Sequence, residues 1–139
     1  MVSTMAFNTG SADSTVAYPI TITQSGTEHI TDVKVLPYKG VDGIYFIITV
    51  DTAKSMTFYL QLVDSSGNAI DVNDYTTACK VESDWDETVS WDADYEALKI
   101  DAASTTGFTN VKVRIYKSGT NVYETTTQVV LIETAHSNT

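Results

Sequence analysis

Residues 111–117, VKVRIYK, alternate without a break: Val111, Val113 and Ile115 share one parity, and Lys112, Arg114 and Tyr116 share the other. A period of two gives a strand one dry face and one wet face, and it cannot serve a helix, whose period is near 3.6. Similar runs recur between turn signals: QSGTE around Gly26, YKGVDG around Gly40 and Gly43, DTAKS at 51–55, DSSGN around Gly67, TTGFTN around Gly107 and KSGTN around Gly119. Strand-length segments on this beat predict an all-β fold, an antiparallel β-sandwich of immunoglobulin-like type with about 7–9 strands. One wet face per strand favours antiparallel over parallel pairing. Threonine, valine, isoleucine and tyrosine supply the β-forming side chains.

The expected strands are residues 16–24, 29–36, 44–51, 56–64, 69–72, 78–82, 88–91, 111–117 and 122–132. Residues 44–51 and 56–64 read as a hairpin through DTAKS, with Ile44, Phe46, Ile48 and Val50 on one face and Met56, Phe58, Leu60 and Leu62 on another. Residues 111–117 and 122–132 read as a second hairpin through KSGTN. The fold is expected to hold at most one short helical turn, in DADYEALKI, where Asp92 or Asp94 is a fair N-cap. Tyr45 and Ile47, and VVLI at 129–132, put apolar residues on both faces of their strands. Such strands are covered on both sides, by the chain's own layers or by a neighbouring subunit.

At 139 residues the chain suits one domain, expected over residues 15–133. A Ser/Thr-rich arm, residues 1–14, precedes it and is expected to be flexible or to order on a neighbour through Met5 and Phe7. A polar tail, residues 134–139, follows. A formal net charge of −10 with eight scattered basic residues argues against nucleic acid and against an anionic membrane surface. No basic n-region with an apolar h-region opens the sequence, so synthesis in the cytoplasm without a visible signal is expected. Cys79 is the one cysteine and reads as a small buried residue. His29 and His136 lie in no nucleophile or phosphate-loop context, and with one cysteine they make no usual zinc set. The expectation is a protein without catalytic residues, cofactor or metal.

SDWDETVSWDADYEAL, residues 83–98, concentrates both tryptophans with six carboxylates. Trp85, Val89, Trp91, Ala93 and Tyr95 share the odd parity, while Asp84, Asp86, Asp92, Asp94 and Glu96 fall on the even one. As one strand the stretch would span about 50 Å, so it is expected to bend near residues 86–87 and 92–94. An EF-hand does not fit. Counting from Asp84 puts Val89 at the glycine position and Tyr95 at the bidentate acid, and counting from Asp92 puts Ala97 and Ala103 there. A loop calcium site between Asp84/Asp86 and Asp92/Asp94 remains as an alternative to a solvated acidic face. The candidate partner-binding residues are Trp85, Trp91 and Tyr95, with Met5 and Phe7 on the arm.

GIYFIITVDTAKSMTFYLQLVDSSGNAI and VKVRIYKSGTNVYETTTQVVLI, behind the Ser/Thr-rich arm, resemble the immunoglobulin-like β-sandwich accessory proteins of tailed-phage particles, such as head decoration proteins. The resemblance covers most of the chain. It implies a non-enzymatic virion protein that binds an assembled lattice in many copies, with no disulfides or cofactors. Its acidic outer surface would keep crowded copies apart. The alternative is an extracellular carbohydrate- or protein-binding module, calcium-assisted, with the tryptophans and Tyr95 as its platform.

Overall fold

A computed structural model describes residues 2–6, 18–25, 29–82, 84–86 and 88–137, with backbone alone for 2–6 and 135–137. The fold is all-β. Its elements are β1 (Val2–Ala6), β2 (Pro19–Gln24), β3 (Ile30–Pro37), β4 (Gly43–Val63), β5 (Thr76–Lys80), β6 (Val89–Asp92), β7 (Ala97–Tyr116), the helical turn α1 (Val122–Thr125) and β8 (Gln128–Ser137). The hydrogen-bonded order is β1-β2-β8-β4-β7-β5, with β3 also on β4 and β6 also on β7. Every pairing is antiparallel except β2 with β8.

Two strands organise the molecule. β4 has 21 residues and β7 has 20; run straight, each would exceed about 60 Å. Instead their mutual register breaks between Thr49 and Ala53 and again between Ala53 and Ser55. Such irregularities bend a strand and let it pass from one sheet direction to another. Before the break β4 lies between β3 and the last part of β7, which carries β5 on its far edge. After it, β4 lies between β8 and the first part of β7, which carries β6. Both halves feed one core, with Phe46, Ile48 and Val113 from the first and Phe58, Leu60, Ile100 and Leu131 from the second. The pairings therefore form one connected network through the two bent strands.

DTAKS is not a hairpin turn. It lies inside β4, with Ala53 fully buried and paired with Phe108. TTGFTN is likewise inside β7, where Gly107 takes φ 102° and packs near Thr52 Cγ2. The two sequences are the facing sides of one corner. Neither Gly nor Pro occurs in DTAKS, so nothing in it reverses the chain.

KSGTN does turn, with the Thr120 amide donating to the Lys117 carbonyl, but it does not close a hairpin. Val122 is fully buried at the start of α1, and the chain then crosses to β8, which pairs with β2 and β4 rather than with β7. That central position explains VVLI: Val129 and Leu131 enter the core, while Val130 and Ile132 are half-buried on the other face. The one helical turn among the described residues is thus α1 and not DADYEALKI, which forms the β6–β7 hairpin with Glu96 at φ 52°. Residues 2–6 of the arm form an edge strand on β2, and β8 carries residues 134–137 of the expected tail along β4.

Cys79 is fully buried, and burial, then the nearby Asp86 carboxylate, pushes its pKa up to about 12. Tyr18 also rises to about 12, through burial first and then Tyr123 and Glu124. Both groups ionise earlier in the unfolded chain than in the folded one. The stability they contribute is present below about pH 9 and is lost as pH rises toward about 12. The midpoint of urea unfolding is expected to fall across this window, and to fall less steeply in Cys79→Ala. An equal slope in the variant would remove Cys79 from the account.

Candidate functional site

The first half of the sheet turns an outward face away from the core, and its register places the side chains in rows. Leu36, Tyr45, Arg114 and Ala78 form one row across β3, β4, β7 and β5. Lys34, Ile47, Lys112 and Lys80 form the next. Antiparallel partners on one face stand about 5 Å apart, close enough for direct contact.

Arg114, the one arginine of the chain, is the centre of this face. Its Nη1 donates to the Tyr38 hydroxyl at 3.0 Å, and its guanidinium carbon lies 4.4 Å from the Trp85 ring centroid and 5.9 Å from that of Tyr38. A cation over an aromatic face is held by the ring quadrupole, more strongly where water is excluded. Around it Tyr45 meets Trp85 edge-on with centroids 5.8 Å apart, and Tyr38 meets Tyr116 edge-on at 5.6 Å. Lys80 Nζ sits 5.9 Å from the Trp85 centroid. Burial, then the neighbouring Tyr38, raises the Tyr45 pKa above its ordinary value. Among the described residues the buried Arg114 Nε has no hydrogen-bond partner.

Trp85 reaches this face because of its neighbour. Asp86 and Cys79 exchange backbone hydrogen bonds of 2.9 and 3.1 Å, which lays residues 84–86 beside β5. Asp86 Oδ1 also accepts from the Thr88 amide at 3.1 Å and the Thr88 hydroxyl at 2.7 Å, fixing the turn that follows. One residue before Asp86, the indole points to the side of the sheet that Lys80 and Ala78 share. Ala78 is 3% exposed despite its outward parity.

The three rings grouped by the sequence do not come together. Trp91 pairs with Leu98 across the β6–β7 hairpin and packs against the edge of the core. Tyr95 is 43% exposed and stacks on Tyr59, with ring centroids 4.2 Å apart, on the outer face of the second half. Trp85 instead joins Tyr38, Tyr45, Arg114 and Lys80, which were not singled out as site residues. Met5 falls opposite Ile20 in the β1–β2 register, and Phe7 lies outside the described residues.

Two of the acids of residues 84–96, Asp86 and Asp92, cap turns. Asp92 Oδ1 accepts from the amides of Asp94 and Tyr95 at 3.0 and 2.9 Å, the same capping chemistry expected of it, applied to a hairpin. Among the described residues no group of three or more His, Cys, Asp or Glu is placed to hold a metal ion. A cleft of about 280 Å³ borders the outward face, lined by Lys80, Glu82, Asn110 and Lys112 with residues of the β7 corner. There Glu82 Oε1 accepts from the hydroxyls of Ser104 and Thr106, which hold its carboxyl below the usual range. No helix among the described residues is long and apolar enough to cross a membrane. Comparisons with protein-family models, with curated proteins and with solved structures found no match for this chain.

Proposed function

We propose that this chain is a non-enzymatic structural protein of a virion or similar multi-copy assembly, a capsid decoration protein that docks on its lattice through the outward face of β3, β4, β7 and β5. The observation that supports this reading is the gathering of Tyr38, Tyr45, Trp85, Tyr116 and the lone arginine on one open sheet face. Tyrosine, tryptophan and arginine are the residues that dominate binding energy at protein interfaces, where they fill desolvated positions ringed by weaker contacts. The chain's remaining charge is strongly acidic, which disfavours contact between crowded copies away from the docking face.

Mass spectrometry and electron microscopy of particles from the source test the setting. The protein is expected in the particles at a fixed copy number, and its recovery only as a free monomer would sink the proposal. Trp85→Ala tests the face. Its affinity for the particle is expected to drop at least tenfold, about 1.4 kcal/mol or more, as for an interface anchor. Circular dichroism should stay that of the parent, because the indole lies outside the core.

A further inference from the structure

Lys80 and Lys112 are direct register partners across the β5–β7 pair. Like charges in that position repel and destabilise the sheet. Neither lysine makes an ion pair among the described residues, although the chain carries 18 acids for 8 bases. Lys34 continues their row beyond Ile47, and Arg114 stands in the next row, its buried Nε without a hydrogen-bond partner among the described residues. Glu82 lines the same cleft, its carboxylate kept ionised by the Ser104 and Thr106 hydroxyls, so the cleft sets two positive charges against one negative. Lys34, Lys80, Lys112 and Arg114 thus outnumber Asp32 and Glu82 on this face, a local excess of positive charge in a chain whose net charge is −10.

We propose that the cleft beside Lys80 and Lys112 receives a carboxylate from an acidic segment of the partner protein, an inference that rests on the docking reading above. A side-chain carboxylate seated between the two ammonium groups would turn a repulsive pair into a bridged one and strengthen both contacts as water leaves. The flanking Ile47, Tyr45 and Trp85 supply apolar and aromatic surface for the residues on either side of that acid. The chemistry fits a peptide better than a polyphosphate chain, which would run from this small basic patch onto acidic surroundings. With a Debye length of about 8 Å at physiological salt, the distant negative charge is screened while the contact pair is not.

Fluorescence anisotropy with a labelled hexaglutamate peptide tests this, beside a hexaserine control. Saturable, salt-sensitive binding of hexaglutamate alone is expected, weakened at least tenfold in Lys80→Glu/Lys112→Glu. The control pair Lys54→Glu/Lys99→Glu, equal in charge change but off this face, should leave binding within twofold. Lys112→Gln separates binding from folding: relief of the repulsion should raise the melting temperature slightly while binding weakens. Absence of hexaglutamate binding, equal loss in the control pair, or a lower melting temperature in Lys112→Gln would each overturn the inference. If particle binding is lost in Trp85→Ala but kept in Lys80→Glu/Lys112→Glu, the carboxylate site falls and the docking face stands.

Discussion

Phe46→Ala is expected to lower the free energy of unfolding by about 3–5 kcal/mol, the range for removing a large buried ring. Phe46 is fully buried, and its row across the first half is Val35, Phe46, Val113 and Cys79, all with no exposure. Truncation leaves a cavity with apolar walls, which water does not stabilise. Strands pinned on both sides cannot collapse to fill it. Phe58→Ala makes the contrast. Phe58 is as deeply buried, but its row includes Glu133, 1% exposed, whose Oε1 lacks a hydrogen-bond partner. A cavity there has a polar wall, and water entering it would solvate that oxygen and offset part of the loss. Urea unfolding of the two variants checks the order, and a greater loss for Phe58→Ala would contradict it.

Gly43→Ala is the second large effect, about 3 kcal/mol of destabilisation, at the upper end for overpacking. Gly43 is in ordinary strand conformation, so the cause is space and not backbone freedom. A Cβ there would lie 2.5 Å from Tyr116 Cβ and 2.7 Å from the Ile115 carbonyl oxygen. These are groups of the facing strand and cannot swing aside as a side-chain tip can. Gly43 also accepts from the Tyr38 amide at 3.0 Å and donates to the Val41 carbonyl at 2.9 Å. Pushing it away would displace the turn that carries Tyr38 and the strand that carries Tyr116. Gly40→Ala is the control: at φ 81° with nothing within 4 Å, it should cost only the left-handed penalty of about 1–2 kcal/mol. Denaturant titration of both variants decides, and a costlier Gly40→Ala would reject the close-approach argument.

These two glycines show where sequence reading succeeds and where it stops. YKGVDG was legible as a turn, and Gly40 is its left-handed residue, but the need for Gly43 comes from a strand some 70 residues away. Parity identified the inward sides correctly. Ile44, Phe46, Ile48 and Val50, then Met56, Phe58, Leu60 and Leu62, and later Val111, Val113 and Ile115 are all buried. Period two states which face a residue takes and says nothing about which strand lies beside it. For that reason the rows joining Tyr45 to Arg114, and Lys112 to Lys80, could not be read. The first half of β7 was missed although Leu98, Ile100 and Ala102 alternate inward, because Gly107 resembles the end of a strand. Trp85 and Trp91 share parity in the sequence, but the turn set by Asp86 separates their segments, and parity does not carry across a turn.

The parallel pairing of β2 with β8 has a mechanical consequence. The two strands run the same way over five register pairs, from Ile20 with Val129 to Gln24 with Glu133. Tension applied between the start of β2 and the end of β8 pulls them in opposite senses along their common axis. All the hydrogen bonds between them then bear the force together, as a sheared patch, and not one after another as in a peeled hairpin. Loaded in that geometry, the pair would resist until the whole five-pair patch gave way at once.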